Sequence, residues 1–221
     1  MRRGALLLAL LAACGGRKKL VPPAPDAVAR GMAAMNRGDD AAVAEATAAF
    51  KEALARRPND PAALFGLGWA SERAGRTSEA EELYRRALSH GPSPDIAYYA
   101  HYNLGSLRLR ARALDEARVD LRKAADLRPA EFAPWFNLGV CEARAARYAE
   151  AIPHLQRAAA LDPEHAGTRY ILGFALWKAG RRQEARSHWD AAERIAPALR
   201  RSIDRITGAA PPPRPAPTPA P

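Results

Sequence analysis

The chain of 221 residues carries a formal charge of +10 and two cysteines. Two cysteines cannot build a disulfide framework, so stability has to come from packing. A balance this basic admits an anionic partner such as nucleic acid, lipid or polymer, although arginine far outnumbers lysine and alanine is abundant, which equally reads as a bias of composition.

At the start of the chain, Arg2 and Arg3 precede an apolar run, Gly4 to Ala13, closed by the small residues Ala12 and Ala13. Residues 1–13 therefore have the three parts of a secretory signal. Ten helical residues rise about 15 Å, half of a hydrocarbon core of about 30 Å, which argues against a permanent membrane span. The run ends in Leu11-Ala12-Ala13-Cys14, which resembles the lipobox of bacterial lipoproteins. The resemblance implies acylation of Cys14, testable by palmitate labelling. Several acyl chains, at about 0.8 kcal/mol per buried CH₂, hold a protein on a membrane. Gly15 and Gly16 give a flexible lead, Arg17, Lys18 and Lys19 would face anionic head groups, and "VPPAPD" is a stiff spacer. Residues 14–23 thus read as a membrane-proximal linker. Gly15, where an aspartate would signal retention at the inner membrane, points by the same resemblance to the outer membrane, with the protein lipid-anchored and facing the periplasm. Removing Arg2 and Arg3 takes the charge from +10 to +8. An exported protein meets little nucleic acid, so no nucleic-acid partner is expected. With Cys14 acylated, Cys141 is left without a partner for an intramolecular disulfide.

The middle of the chain repeats itself. Gly105, Gly139 and Gly173 are 34 residues apart, as are Ala117, Ala151 and Ala185, Ala124, Ala158 and Ala192, and Pro129, Pro163 and Pro197. One unit earlier the same marks are Gly68, Ala80, Ala87 and Pro92, at a step of 37, so three residues are inserted near Ser93 to Ala97. A looser first unit shows Gly31, Ala46, Phe50, Ala53 and Pro58, with three extra residues near Ala41 to Val43 and Arg30 where a large apolar residue is usual. These units resemble tetratricopeptide repeats. The resemblance implies an all-α superhelix of five helix pairs plus a C-terminal capping helix. The units are residues 24–60 (divergent), 61–94, 98–131, 132–165 and 166–199, with a cap at 200–207.

The marks have physical reasons. The glycines and alanines keep facing helices close, where a larger side chain would overpack by about 1–3 kcal/mol. Tyr84, Leu121, Leu155 and Trp189 fill the larger gaps. Proline ends each second helix because it lacks the N–H and clashes with the preceding turn. Asp60-Pro61 reads as an N-cap followed by a first helical residue. In "LRRSIDRIT", Leu199, Ile203 and Ile206 share one face, as a lid on the last unit requires. Residues 208–221 hold seven prolines and read as a tail that cannot pack a core.

The search for chemistry is short. His90, His101, His154, His165 and His188 have no metal spacing. Cys141 reads as an apolar filler, and Asp115, Glu116, Glu79, Glu81 and Glu82 as solvating charges. No nucleophile, phosphate-loop or zinc motif occurs, so no catalysis and no cofactor are expected. Interest falls instead on the inner face of the first helices. By the resemblance, their second, fifth, ninth, twelfth and thirteenth places line a concave groove. Mapped here with the sixth place, they give Phe65, Trp69, Tyr99, Tyr102, Asn103, Leu109, Phe136, Asn137, Val140, Tyr170, Phe174 and Trp177 as peptide-binding residues, with Glu72 and Ser106 at further inward places. In resembling repeats Asn103 and Asn137 stand where asparagine holds a peptide backbone. Arg73, Arg110, Arg144 and Lys178 share the thirteenth place as a basic edge. The carboxylate clamp of chaperone-binding repeats is absent, since Phe65 and Trp69 stand where it needs lysine and asparagine. The expectation is a membrane-anchored scaffold for a protein or peptide partner, resembling in architecture pilotins and outer-membrane or cell-wall adaptors. The alternative is electrostatic attachment to anionic cell-wall polymer or lipid through the basic surface. The sequence leaves the oligomeric state open.

Overall fold

The computed structural model describes residues 26–208. The signal, Cys14, the linker and the tail beyond Gly208 lie outside the described residues. Among the described residues there are eleven α-helices and no strand. Five helical hairpins run α1 (Ala27–Arg37) with α2 (Asp40–Arg56), α3 (Pro61–Arg73) with α4 (Thr77–Ser89), α5 (Pro94–Arg110) with α6 (Leu114–Leu127), α7 (Phe132–Arg144) with α8 (Tyr148–Leu161), and α9 (Ala166–Lys178) with α10 (Arg182–Ile195). A 3₁₀ turn at Pro197–Leu199 leads into α11 (Arg200–Thr207). Each second helix packs on the first helix of the next hairpin, and the first helices also touch one another in series. Helices stacked in two rows in this way wind into a superhelix whose inner row is α1, α3, α5, α7 and α9.

The repeating glycine is a notch at a close contact between the two helices of a hairpin. A Cβ on Gly139 would meet Leu155 Cγ at 2.5 Å, one on Gly173 would meet Trp189 Cδ1 at 2.5 Å, and one on Gly105 would meet Leu121 Cγ at 2.6 Å. Gly68 is filled in the same way by Tyr84, and Gly31 by Phe50. In every hairpin the missing side chain of the first helix is the space occupied by one large side chain of the second. Tyr84, Leu121, Leu155 and Trp189 are accordingly buried. Ile203 of α11 is buried in one cluster with Leu176 and Trp189, with Leu199 and Ile206 packed against it. The lid thus covers an apolar end that a repeat array cannot leave open.

Local signals set the ends of the helices. Asp60 Oδ1 accepts from the backbone N–H groups of Ala62 and Ala63. The turn inside each of hairpins two to five closes with a bond five residues back, from Arg76 to Ser71, Ala113 to Arg108, Arg147 to Glu142 and Arg181 to Leu176, at 2.8–2.9 Å. This is the Schellman arrangement, which wants a left-handed residue after the helix. Gly75 and Gly180 supply it at φ 75° and 82°, whereas Arg112 and Ala146 adopt φ 62° and 60° at the same place. The three-residue insertions are helical rather than loops. They lengthen α2 and α5 to 17 residues, and in α5 Ser93 caps the added turn by accepting from Ile96 N–H.

Candidate functional site

The inner row holds two adjoining concavities. The first, of about 470 Å³, is lined by Trp69, Glu72 and Arg73 of α3 and by Asn103 and Arg110 of α5. The second, of about 380 Å³, is lined by Tyr102, Ser106, Leu109 and Arg110 of α5, Phe136, Asn137, Val140 and Arg144 of α7, and Ile171 of α9. Arg110 belongs to both, so they form one groove across α3, α5, α7 and the edge of α9. It exists because the helix places that carry bulk in the hairpin interior leave the adjacent places of the first helices facing inward.

The floor of the first concavity is a hydrogen-bonded chain. Asn103 Nδ2 donates to the Tyr84 hydroxyl at 3.1 Å, that hydroxyl donates to Glu72 Oε2 at 3.0 Å, and Arg110 donates to Glu72 Oε1 at 2.7 Å. Burial and the Glu72 carboxylate beside it push the Tyr84 phenol well above its ordinary pKa, so it remains a neutral donor. Glu72 holds the twelfth place of its unit, one of the expected inward places, but its pairing with Arg110, 38 residues away, is what no local pattern reveals. Ile171 is a new member, one place beyond the expected Tyr170.

The expected residues divide into three groups. Trp69, Tyr102, Asn103, Leu109, Phe136, Asn137 and Val140 come together in the groove. Leu109 is only 6% exposed, so it forms floor rather than rim. Phe65 is also 6% exposed and sits under the surface, its ring 5.6 Å from Tyr84 and 6.3 Å from Tyr99. Tyr99 is the exposed member of that stack, at 44%, with the Arg128 guanidinium 4.9 Å from its ring centre. Tyr170, Phe174 and Trp177 do not line these two concavities. They pack partly buried in the C-terminal cluster, Phe174 edge-on to Tyr148 at 5.8 Å and Trp177 against Trp189 at 5.5 Å.

The basic edge is tied to the scaffold. Arg73 donates to the Gly38 carbonyl at 2.9 Å and Arg144 to the Leu109 carbonyl at 3.2 Å. Each guanidinium therefore satisfies a carbonyl at the end of the preceding first helix, where the helix dipole favours a cation. Arg110 instead pairs with Glu72, and Lys178 lies 5.6 Å over the Phe174 ring.

Elsewhere, Glu81 is not a free surface charge. It accepts from Arg108, which also donates to Asp120 at 2.5 Å, while His101 Nδ1 stands 2.8 Å from the other Asp120 oxygen. Asp115 likewise takes a hydrogen bond from Arg147 at 3.1 Å. These groups link α4, α5 and α6, and α6 to the turn before α8. His154 stacks on Trp135 and meets Arg122 at 3.1 Å, and His165 caps α9 through Thr168 N–H. Cys141 is buried, its thiol pushed up to about 11 by burial, and its Sγ donates to the Leu114 carbonyl. Among the described residues no group of three or more potential ligands could hold a metal ion.

Tetratricopeptide-repeat family models match residues 28–95 and 142–200. The fold is a tetratricopeptide-repeat superhelix. Among solved structures, YrrB, described as a TPR protein with an unusual peptide-binding site, is similar at 22% identity and a TM-score of 0.70, over 82% of this chain and 92% of its own. A MamA AMB-1 structure is similar at 24% identity and a TM-score of 0.67, over 76% and 96%. A second MamA structure gives 21% and 0.64, over 77% and 96%. At such identities the likeness is one of fold. No curated protein matches the chain by sequence. A tetratricopeptide-repeat fold is consistent with a protein–protein interaction scaffold.

Proposed function

We propose that the protein is a membrane-anchored, non-catalytic scaffold that binds a peptide or protein segment in the groove across α3, α5 and α7, in the assembly of an envelope complex. The carrying observation is the pair of joined concavities in which Trp69, Tyr102 and Phe136 stand beside hydrogen-bonding groups. Aromatic side chains offer large contact area with few rotatable bonds, and truncating them at the centre of an interface often costs about 2 kcal/mol or more. The peptide-binding site named for YrrB agrees with this reading. The anchor rests on the lipobox at Cys14, and the outer membrane facing the periplasm remains the proposed location. The alternative is attachment to an anionic polymer or lipid through the basic surface, on which Arg73, Arg110 and Arg144 each spend one nitrogen on the protein's own carbonyls or carboxylate.

Co-purification from detergent-solubilised envelope supplies the partner, and two substitutions then separate the readings. Tyr102→Ala is expected to weaken it at least tenfold with unchanged helicity, while Arg110→Glu mainly slows association and reduces its salt dependence. Wild-type binding by Tyr102→Ala, together with abolished binding by Arg110→Glu, would transfer the function to the basic surface.

A further inference from the structure

The two halves of the groove differ in chemistry, and the difference specifies what they accept. The Tyr102–Phe136 half is walled by Tyr102, Leu109, Phe136, Val140 and Ile171. Its neutral polar groups are joined, Asn137 Nδ2 donating to Ser106 Oγ at 3.1 Å. No carboxylate lines it, and its charges are Arg110 and Arg144. The Trp69 half contains one carboxylate, Glu72, and both of its oxygens are already engaged, by Arg110 and by Tyr84. Each guanidinium there retains donors. A guanidinium carries five N–H groups, whereas Arg110 uses one nitrogen on Glu72 and Arg73 one on Gly38. Over the whole groove Arg73, Arg110 and Arg144 stand against Glu72 alone, an excess of two positive charges, with Arg110 shared between the halves.

The network also fixes one amide. The Tyr84 hydroxyl gives its proton to Glu72, so toward Asn103 it can only accept. The Asn103 nitrogen must therefore face Tyr84, which leaves its Oδ1 as an acceptor without a partner among the described residues. A peptide in an α-helix has already satisfied its backbone N–H groups, whereas an extended one has not. Neighbouring inner helices lie about 10 Å apart, and an extended chain of polyproline II type rises about 3.1 Å per residue with three residues per turn, so side chains three residues apart lie on one side about 9 Å apart and reach the two halves.

We propose that the groove takes an extended segment in which a large apolar side chain fills the space between Tyr102 and Phe136 and an Asp or Glu about three residues away engages Arg73 and Arg110 beside Trp69. This deepens the peptide-binding reading and rests on it. The partner is a protein bearing an apolar–acidic motif. The apolar residue supplies most of the affinity and the carboxylate supplies selectivity, because the guanidiniums are exposed and partly screened at physiological salt.

The test uses the full chain and a phage-displayed library of random eight-residue peptides. The expected consensus holds a large apolar residue and an Asp or Glu about three positions apart. A synthetic consensus peptide should lose about fivefold or more in affinity when its acidic residue becomes the amide. Arg110→Gln should reduce that discrimination to less than about twofold. The peptide-side change leaves the protein untouched, so its result is independent of folding. A consensus with Lys or Arg at the second position overturns the inference, as does equal binding of acid and amide peptides. The underlying reading fails separately: Tyr102→Ala would then bind selected peptides as the wild type does.

Discussion

Replacing Gly139 with leucine would place a side chain where Leu155 already stands. A Cβ there lies 2.5 Å from Leu155 Cγ, 2.6 Å from its Cδ2 and 3.3 Å from its backbone nitrogen. Leu155 is fully buried and cannot swing into solvent. Overpacking a tight core costs about 1–3 kcal/mol, and a whole leucine belongs at about 3. Leucine's better helix propensity returns about 0.8 kcal/mol, leaving a net loss of about 2 kcal/mol. For a chain of this size each kcal/mol moves Tm by about 2–4 °C, so thermal melting followed by circular dichroism should fall by about 4–8 °C. The transition should also broaden, because each hairpin is held by its neighbours alone. Leu155→Ala by itself opens a cavity and costs about 2–5 kcal/mol. Because the new leucine occupies that cavity, the double variant should be more stable than the two single effects add up to, by about 1 kcal/mol or more. An unchanged melt, or strict additivity, would refute the notch account.

Four further outcomes are expected. Burial and Arg122 hold His154 below its ordinary pKa, and burial and Arg169 do the same to His188, against weaker opposing effects of Glu142 and Glu184. The folded chain therefore binds fewer of these protons than the unfolded one, so their contribution is intact above about pH 6.5 and is lost as pH falls below it. Tm should be higher at pH 7.5 than at pH 5.5, and His154→Gln with His188→Gln should narrow the gap. Ala146→Gly should raise stability by about 1 kcal/mol by removing a left-handed alanine, measured by urea denaturation; a loss would mean the strain is absent. In a Cys14→Ser background, the Cys141 thiol should resist a thiol reagent at pH 8 in the native state and react once urea is added. In a Gram-negative host, wild-type protein should take up radiolabelled palmitate and Cys14→Ser should not, and lack of label in the wild type would remove the anchor.

The repeat is readable from the residues alone. Small residues, large fillers and prolines recur at a fixed period because each hairpin meets the same neighbours, so one local solution is written five times. The small and large places were legible for that reason, but that Leu155 fills the space at Gly139 and Trp189 the space at Gly173 is seen only in the structure. The left-handed turn place, held by Gly38, Gly75 and Gly180 and shared by Arg112 and Ala146, was found only in the backbone angles. The groove was legible only in outline. Helix periodicity can say that Phe65, Trp69 and Phe174 lie on one side of their helices, but not how far the neighbouring units close over them. Tertiary packing buried Phe65 beneath Tyr99 and drew Phe174 and Trp177 into the C-terminal cluster, while leaving Trp69, Tyr102 and Phe136 in the groove. It also joined Glu72 to Arg110, Glu81 to Arg108 and Arg108 to Asp120, across 38, 27 and 12 residues. Such pairs carry no local signal, because a charge on a helix surface looks the same in sequence whether it meets water or the next unit. Only stacking decides which, and it set both the floor of the groove and the charge left over within it.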